Sequence, residues 1–271
     1  MRADQLLVAR GLAASRSQAA RLIAGGLRWR AHAAQPWRSV AKSGEELPEG
    51  AELELADAAE ARYVSRGGLK LEGALAATAV PVTGRLCLDV GQSTGGFTDC
   101  LLQQGAAHVV GVDVGHGQLH ARLAGDARVT AIEKCNARAL EPAQLRDAAP
   151  FAGRAPVGFD LIVGDLSFIS LTLVLPALAP LLREGGDLLM LVKPQFELQP
   201  AQIGKGGIVR DVQLYAQVQA RLHEAAQACG LRVQHWLPSP IAGGDGNREF
   251  FIHARQGTSS EGGGDAPATE L

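Results

Sequence analysis

The chain has 271 residues and a formal net charge of -2, with 46% apolar and 20% charged residues. Such a composition is typical of a folded protein with a sizeable core, and it excludes a polyanion-binding surface spread over the whole chain. No apolar run approaches the roughly 18 residues of a membrane span, and the N-terminus does not resemble a secretory signal. The four cysteines contain no C-x-x-C pair, so we predict reduced thiols and a cytoplasmic protein without a membrane partner.

Residues 1–59 form a compositional unit of their own. Helical spacing predicts one helix in RADQLLVARGL, ended by Gly11, and a second in RSQAARLIAGG, capped by Ser15. A β-rich stretch follows in LRWRAHAAQPWRSV and AELELAD. Basic residues dominate as far as Lys42 and acids dominate after it, so the helix pair is a candidate contact for a phosphate backbone, although a solvated basic face has the same charge pattern. The candidate phosphate contacts are Arg2, Arg10, Arg16 and Arg21.

A second domain is predicted over residues 65–256, after a linker at residues 60–64. It opens with a helix in SRGGLKLEGALAATAV, with Ser65 as its cap and Lys70 in its first turns. A helical lysine that stood alone would be a solvated charge. Residues 257–271 lack the apolar content that orders a chain, so we expect a disordered tail.

The centre of this domain is CLDVGQSTGGFTDCLLQQGAAHVVGVDV, residues 87–114. It predicts a buried strand, a glycine-rich turn at residues 91–96, a helix over 97–104 and a strand that ends at Asp113. An acid at that place in a βαβ unit accepts hydrogen bonds from the ribose hydroxyls of a nucleotide-type ligand. The spacing matches neither G-x-G-x-x-G nor G-x-x-x-x-G-K-[ST], so a diphosphate ligand is not expected. The alternative is a glycine-rich turn that binds nothing.

Strands and helices alternate through the rest of the chain, as in a doubly wound α/β sheet. Helices are predicted over residues 115–125, 171–182 and 215–230. Ionisable residues also stand at three predicted strand ends, namely Asp165, Lys193 and Glu249. Strand ends in such a sheet share one edge, so we expect these side chains beside the ligand, although any one of them alone is more often structural than catalytic.

Two later features have less specific patterns. The Gly-rich loop GKGGIVRD carries Lys205 and Arg210, and the sequence allows a lid, a substrate contact or a mere connection. His116 and His120 have a spacing that can bind a metal ion. No H-E-x-x-H pattern and no third ligand accompany them, so no metal site is predicted.

Several of these strings resemble known protein families. DVGQSTGGF resembles the first motif of class I S-adenosylmethionine (SAM) methyltransferases, with Gln92 where a small residue is usual. Residues 2–55 resemble the S4 RNA-binding domain through D-x-L-L-x-x-x-G-L-A-x-S-R-S-x-A-x-x-L-I-x-x-G, and the match weakens after Gly26. SRGGLKL, GDLSF, VKPQFE and NREFF resemble the strings around the K-D-K-E tetrad of RrmJ/FtsJ-like RNA 2′-O-methyltransferases. With VDVGHGQLH, they make residues 2–255 similar to the TlyA family of haemolysin-named rRNA methyltransferases.

The resemblance implies a Rossmann-like class I methyltransferase domain behind a small N-terminal α+β S4-like RNA-binding domain. It implies methyl transfer from SAM to the 2′-hydroxyl of cytidine in ribosomal RNA, with rRNA or ribosomal subunits as partners and no metal. The implied catalytic tetrad is Lys70, Asp165, Lys193 and Glu249. The implied SAM-binding residues are Asp89, Gly91, Ser93, Thr94, Gly95, Gly96, Phe97, Asp113, Asn136 and Asp165. Beyond the N-terminal arginines, the expected RNA contacts are Arg66, Lys205 and Arg210.

Within the implied tetrad, Lys193 has the role of general base, because a lysine that is buried beside another cation loses its proton more readily. Lys70 is that neighbouring cation, and Asp165 and Glu249 orient the lysines and the ribose. In a base-free alternative, both lysines hold phosphate and catalysis comes from alignment alone.

Three other functions compete with this interpretation. A non-catalytic RNA-binding or ribosome-assembly factor could keep the fold, but loss of a tetrad member or of Asp113 would be its signature, and all are present. A membrane-active haemolysin needs an amphipathic or spanning segment, and none stands out. A methyltransferase that acts on a base amino group typically carries N/D-P-P-Y/F where this chain has DLSF.

Overall fold

The structure is a computed structural model of the chain. It describes residues 1–257 apart from 14, 25, 56–61, 147–157 and 245, and apart from the side chains of residues 17 and 21. The first two residues of the predicted linker and the predicted tail beyond residue 257 therefore lie outside the described residues.

The N-terminal unit packs two short helices, α1 (Ala3–Ala9) and α2 (Arg16–Ala24), beside a three-stranded antiparallel sheet. The sheet has the order β2-β1-β3, with strands Leu27–Arg30 (β1), Arg38–Ser39 (β2) and Glu52–Leu55 (β3). As predicted, Ser15 caps α2, and its hydroxyl oxygen accepts a hydrogen bond from the backbone N–H of Gln18 at 3.2 Å. Apolar side chains of both helices and β1 form a core of their own, which includes Leu6, Leu7, Leu22 and Leu27.

The second unit is built on a seven-stranded sheet with the order β6-β5-β4-β7-β8-β10-β9. The first five strands in this order, β6, β5, β4, β7 and β8, are parallel to one another. Strand β10 runs antiparallel to both of its neighbours, β8 and β9. The strands are Leu86–Val90 (β4), His108–Val112 (β5), Val129–Ile132 (β6), Phe159–Gly164 (β7), Leu182–Val192 (β8), Leu231–Pro238 (β9) and Phe250–Gln256 (β10). The predicted Rossmann-like α/β fold is confirmed, with an antiparallel pair at one edge.

Helices cover both faces of this sheet. Neighbouring residues of a strand point to opposite faces, so Leu161 lies in the core beneath α3 and α4, whereas Ile162 lies in the core beneath α8. Burial on both faces explains why the central strands are continuous apolar runs, and each such side chain stabilises the fold by about 1.5–3 kcal/mol. The helices are α3 (Gly67–Thr78), α4 (Gly96–Gln103), α5 (Ala121–Ala124), α6 (Leu175–Leu178), α7 (Pro194–Glu197) and α8 (Gln213–Ala228).

The helix predicted over residues 115–125 is wrong for most of its length, because only α5 at its end is helical. The backbone N–H of Gly115 donates to the carboxylate of Asp113 at 2.7 Å. Gly117 has a φ of +65°, which a right-handed helix does not accommodate. The segment after β5 is therefore shaped by the acid at the strand end.

The helix predicted over residues 171–182 is broken into shorter pieces. A 3₁₀ turn at Leu171–Leu173 is followed by α6 and by a second 3₁₀ turn at Ala179–Leu181. Pro176 and Pro180 lack the backbone N–H that a continuous helix requires.

The described end of the predicted linker packs on the second unit. Tyr63 is buried, and a Cβ atom on Gly68 of α3 would lie 2.2 Å from its ring. The backbone N–H of Val64 donates to Asp99 of α4 at 2.9 Å. From the N-terminal unit, the side-chain amide of Gln18 donates to the carbonyl oxygen of Tyr63 at 3.3 Å.

Candidate active site

A cavity of about 560 Å³ opens at the carboxyl ends of the parallel strands. Its volume is that of a small-molecule site. Gly91, Asp113, Asp165 and Lys193 directly follow β4, β5, β7 and β8 and all line this cavity. The parallel topology therefore gathers residues that are distant in sequence at the edge where ligands bind such sheets.

The glycine-rich turn between β4 and α4 forms one wall of the cavity. Gly91 has a φ of +81°, and a Cβ atom there would lie 2.9 Å from the backbone oxygen of Asp165. A Cβ atom on Gly96, the first residue of α4, would lie 2.1 Å from the hydroxyl oxygen of Ser65. Glycine permits these two close approaches of the backbone.

Asp113, the acid predicted to bind ribose, is half-buried on the cavity wall. Its Oδ2 accepts a hydrogen bond from the backbone N–H of Ser93 at 2.8 Å, and its Oδ1 accepts one from Gly115 at 2.7 Å. These two contacts fix the orientation of the carboxylate. Each oxygen has a further lone pair, so the group can also accept hydrogen bonds from a ligand.

Most of the predicted SAM-binding residues line the cavity, namely Gly91, Ser93, Thr94, Gly96, Phe97, Asp113, Asn136 and Asp165. Asn136 is exposed, and its side-chain oxygen accepts a hydrogen bond from the backbone N–H of Arg138 at 3.0 Å. Asp89 and Gly95 are not among the described residues that line it. Asp89 is buried, and burial raises the pKa of its carboxyl to about 7.

Gln92, the unusual residue of this turn, directs its side chain into the interior. A Cβ atom on Gly111 of β5 would lie 2.0 Å from Gln92 Cδ, so the missing side chain makes room for the amide. Gln92 Nε2 donates a hydrogen bond to Thr98 Oγ1 at 2.9 Å. The hydroxyl of Thr98 donates in turn to Asp89 Oδ2 at 2.7 Å. Gln92 thus joins the turn to β5, α4 and β4.

The four ionisable residues of the implied tetrad lie together at the edge of the cavity. Lys193 Nζ is 2.5 Å from Asp165 Oδ1, and Lys70 Nζ is 3.9 Å from Asp165 Oδ2. Lys70 Nζ also lies 2.6 Å from Glu249 Oε2. The contacts therefore run in the order Lys193, Asp165, Lys70, Glu249, from the ends of β8 and β7 to helix α3 and the residue before β10.

Burial is greatest at the Lys70–Glu249 end of this series of contacts. Lys193 and Asp165 line the cavity, whereas the side chains of Lys70 and Glu249 are only 9% and 3% exposed. Two ammonium and two carboxylate groups balance in charge, which offsets part of their desolvation cost. Burial raises the pKa of Glu249, and its pairing with Lys70 opposes that shift. Lys193 also donates to Ser167 Oγ at 2.8 Å, and an ammonium has a third N–H for a ligand.

One cavity residue that sequence reasoning missed is Phe168. It is 90% exposed, and its φ of +64° is strained for a bulky side chain. Its ring centroid lies 5.0 Å from that of Phe196, which follows Lys193 by three residues. The signal was its place in the string GDLSF, three residues after Asp165. An exposed aromatic ring at the cavity can stack on a flat ligand.

Two of the predicted N-terminal phosphate contacts share one acid. Buried Asp4 accepts hydrogen bonds from Arg2 at 3.0 and 3.2 Å and from Arg16 at 2.8 and 3.0 Å. The hydrogen bond from Arg2, with the charge of Arg16, lowers the pKa of Asp4 to about 2. Both guanidinium groups nevertheless keep a solvent-exposed side.

Of the other two N-terminal arginines, the structure describes the side-chain contacts of one, Arg10. Arg10 donates hydrogen bonds to the backbone oxygens of Glu49 and Ala51 and so ties α1 to the segment before β3. Arg21 belongs to α2, and its side chain lies outside the described part. A structural role therefore competes with phosphate binding at Arg10.

The predicted RNA contacts of the second unit differ in burial: one is half-buried and two are exposed. Arg66 is half-buried at the start of α3, and its guanidinium donates to the backbone oxygen of Ala242 at 2.8 Å. Lys205 and Arg210 are exposed on the Gly-rich loop. Their cationic ends are open to a polyanion.

The Gly-rich loop is anchored near the tetrad. Asn247 accepts a hydrogen bond from the backbone N–H of Val209 at 2.9 Å and donates to the carbonyl oxygen of Gly207 at 2.9 Å. The hydroxyl of Tyr215 on α8 donates to the carbonyl oxygen of Val209 at 2.9 Å. Since Asn247 precedes Glu249 by two residues, the loop is fixed to the segment that carries a tetrad acid, which argues against a free lid and leaves a substrate contact and a mere connection as the alternatives.

The two histidines with metal-like spacing have other surroundings. His120 Nδ1 accepts a hydrogen bond from the backbone N–H of Arg122 at 3.2 Å and caps α5, and His116 is exposed. Across the described residues, no group of three or more histidine, cysteine or acidic side chains is arranged to hold a metal ion. Among the helices in the described ranges, none has both the length and the apolar character to cross a membrane.

Comparisons with known proteins add to this geometry. Residues 63–256 match the FtsJ-like methyltransferase family. The chain is 44% identical over 257 residues to the 16S/23S rRNA (cytidine-2′-O)-methyltransferase TlyA of Mycobacterium tuberculosis, covering 95% of this chain and 90% of that protein. It is 40% identical over 192 residues to Hemolysin A of Brachyspira hyodysenteriae, covering 71% and 76%. A solved Streptococcus thermophilus structure with a hemolysin name is similar at a TM-score of 0.71 and 41% identity, covering 96% of this chain and 89% of that one.

Proposed function

The chain belongs to the FtsJ-like methyltransferase family, on its TlyA branch, and from this premise we propose that it transfers a methyl group from SAM to the ribose 2′-hydroxyl of cytidine in ribosomal RNA. The observation that carries the proposal is the contact series Lys193, Asp165, Lys70 and Glu249 at the cavity edge. The name of the Mycobacterium tuberculosis relative states this reaction for that protein.

The cavity residues fit SAM in size and in chemistry. The Asp113 carboxylate can accept hydrogen bonds from ribose hydroxyls, and the Asn136 side chain can contact the adenine edge. Among the described lining residues, Lys193 alone is cationic, so the cavity suits a nucleoside without phosphates. The backbone of the turn at residues 91–96 lies directly against the space that such a ligand would fill.

A side chain at the cavity edge can accept the proton that the 2′-hydroxyl loses when it attacks the methyl group. SAM bound in this cavity would supply an electrophilic methyl group for the ribose oxygen and would leave as the thioether. Lys193 in its neutral form accepts the proton of the 2′-hydroxyl. Asp165, 2.5 Å away, then holds the resulting ammonium. Lys70, itself held by Glu249, places a second positive charge 3.9 Å from the other oxygen of Asp165.

A base-free version of the reaction assigns both lysines to phosphate binding. The two versions differ in the pH dependence of transfer. A general base makes the rate rise with pH until the lysine is neutral, whereas alignment alone leaves the rate flat across that range. Single-turnover rates of the wild-type protein between pH 6 and pH 10 therefore distinguish them.

Recognition of RNA is assigned to both units. The exposed arginines of the N-terminal unit and the basic residues Arg66, Lys205 and Arg210 would contact phosphates, so binding should weaken steeply with salt. The exposed ring of Phe168 would stack on a nucleobase beside the cavity. We also place the protein in the cytoplasm, with ribosomal subunits as its partners, because its substrate is rRNA.

The direct test is transfer of labelled methyl from SAM to ribosomal subunits and to naked rRNA, followed by digestion to nucleosides. Wild type should label 2′-O-methylcytidine, and Lys193→Ala should lose that label by a factor of about 10² or more, as expected for removal of a general base. Lys134→Ala is the matched control, since it removes an exposed lysine that belongs neither to the tetrad nor to the proposed RNA contacts and is not among the described residues lining the cavity.

Other outcomes of the same test identify the rival functions. Label on a base would keep the fold but reject the tetrad chemistry. No label, together with tight and salt-sensitive RNA binding, would indicate a non-catalytic assembly factor. Lysis of red cells by the purified wild-type chain, without methyl transfer, would support the membrane-active alternative.

A further inference from the structure

Two segments of the chain carry the cavity-side residues of the tetrad. The first follows β7 and runs over residues 165–171, from Asp165 to the 3₁₀ turn. The second follows β8 and comprises Lys193 and α7. Lys193 donates to Ser167 across the two segments at 2.8 Å, and the rings of Phe168 and Phe196 lie 5.0 Å apart. The catalytic geometry therefore depends on how these two segments are held together.

Glu197 joins the same two segments from the interior. It is the last residue of α7, it is 3% exposed, and it has no part in the proton transfer described above. Its Oε2 accepts a hydrogen bond from the hydroxyl of Ser170 at 2.5 Å, and its Oε1 accepts one from the backbone N–H of Leu171 at 2.7 Å. Both donors belong to the segment after β7.

Helix α8 also contacts Glu197 and the 3₁₀ turn that follows β7. Arg221 of α8 donates a hydrogen bond to the backbone oxygen of Glu197 and another, at 3.4 Å, to Thr172 Oγ1. Thr172 Oγ1 lies 2.8 Å from Ser170 Oγ. Glu197 is thus the centre of a polar cluster that connects α7, α8 and the segment after β7.

We infer that Glu197 is a positioning residue for methyl transfer, whose carboxylate holds the segment after β7 against Lys193 and thereby sets the placement of Asp165, Ser167 and Phe168. The inference rests on the proposed function of the tetrad. A small error of alignment is costly in such a reaction, since a displacement of about 1 Å can reduce the rate by about 10².

An acid at this buried position has both a cost and a function. Burial raises the pKa of Glu197, and the hydrogen bonds from Ser170 and Leu171 oppose that shift. An apolar side chain would avoid the desolvation cost but would leave the backbone N–H of Leu171 without its acceptor. A carboxylate satisfies that amide and the hydroxyl together, and so fixes two successive residues of the segment after β7.

The test uses three variants of the polar cluster, Glu197→Ala, Glu197→Gln and Ser170→Ala. The control is a variant of another buried acid, which lies within strand β8. Asp187 of β8 is also 3% exposed and pairs with Arg85 at 2.7 Å and with His253 at 2.9 Å. It precedes Lys193 by six residues, about 20 Å along a strand. Asp187→Ala therefore removes a buried carboxylate without touching either segment.

For each full-length variant, single-turnover methyl transfer to rRNA, the KM for rRNA, the Kd for SAM and the melting temperature are measured. We expect Glu197→Ala to lower the transfer rate about 10- to 100-fold with little change in either binding constant. Glu197→Gln should stay within about threefold of wild type, because its amide oxygen can accept from Leu171 while its NH₂ group donates to a rotated Ser170 hydroxyl. Ser170→Ala should fall between them, and Asp187→Ala should lower the melting temperature but not the transfer rate.

Amide hydrogen exchange gives a second readout that does not depend on methyl transfer. Glu197→Ala should accelerate exchange in residues 165–171, and Asp187→Ala should not. The inference is overturned if exchange there is unchanged in Glu197→Ala, or if active wild type and Glu197→Ala transfer methyl at the same rate. If wild type transfers no methyl, the proposed function fails, and the exchange data still decide whether Glu197 holds the segment.

Discussion

The two charged clusters of this molecule differ in how far solvent reaches their cations. In the N-terminal unit, the side chains of Arg2 and Arg16 around Asp4 are 43% and 61% exposed. In the tetrad, those of Lys70 and Lys193 are 9% and 12% exposed. An exposed arginine has five N–H donors, so it can donate to an RNA phosphate on its solvent side while it stays paired with Asp4. The buried lysines instead keep a fixed geometry, so the first cluster suits binding and the second suits alignment.

The largest effect should come from breaking the buried cluster. Lys70→Ala leaves Glu249 buried without its cation, which should reduce the free energy of unfolding by about 3–5 kcal/mol. Urea denaturation measures the loss, and methyl transfer should fall with it. The double variant Lys70→Met with Glu249→Gln, which removes both charges, should recover stability but not activity. Wild-type stability in Lys70→Ala would contradict the assigned pairing.

A smaller effect is expected at the half-buried acid of the cavity. Asp113→Ala removes the acceptor for the backbone N–H groups of Ser93 and Gly115 and for the ribose hydroxyls. Hydrogen bonds to a charged group contribute about 1.5–3 kcal/mol, so the Kd for SAM should rise about 10- to 100-fold in calorimetry. Asp126→Ala is the control, because Asp126 pairs with Arg128 and is not among the described residues lining the SAM cavity. Equal SAM affinity in Asp113→Ala and wild type would reject the ribose contact.

The exposed cluster should show a still smaller and salt-dependent effect. Arg16→Ala removes one candidate phosphate contact while Arg2 still pairs with Asp4. RNA affinity should fall only a few-fold at low salt, and the slope of log K against log salt should drop by about one unit. The maximal transfer rate at saturating RNA should not change. Arg128→Ala is the matched control, and an identical salt slope in Arg16→Ala and this control would remove Arg16 from the RNA surface.

The smallest effect is a dependence of stability on pH at Asp4. Hydrogen bonds from Arg2 and Arg16 lower its pKa from 3.8 to about 2 in the folded protein. The unfolded chain therefore binds the proton first as the pH falls, so this contribution is complete above about pH 4 and is lost as the pH falls towards 2. The melting temperatures of wild type and Asp4→Asn should converge over that range. A difference that persists at pH 2 would show that the charge of Asp4 is not its cause.

The glycine-rich turn and Asp113 illustrate what could be predicted from the chain alone. A strand, six residues rich in glycine, a helix and an acid after the next strand are consecutive features, and the structure places Asp113 on the cavity that this pattern predicted. The same local reasoning failed for residues 115–125, because the carboxylate of Asp113 captures the backbone N–H of Gly115 and turns the chain. Local sequence patterns also did not identify Phe168 or Glu197. The exposure of the Phe168 ring and the buried hydrogen bonds of Glu197 depend on tertiary structure and produce no periodic pattern in the sequence.

By itself, the sequence determined the order of strands and helices and the residues that stand at strand ends, because periodicity, capping and glycine positions are local properties of the chain. The tertiary structure alone decided which of those ends meet. Lys70 precedes the sheet and Glu249 lies just before its last strand, yet their charged atoms are 2.6 Å apart because β10 inserts between β8 and β9. Such a contact depends on strand order across the sheet, which no local pattern in the chain specifies.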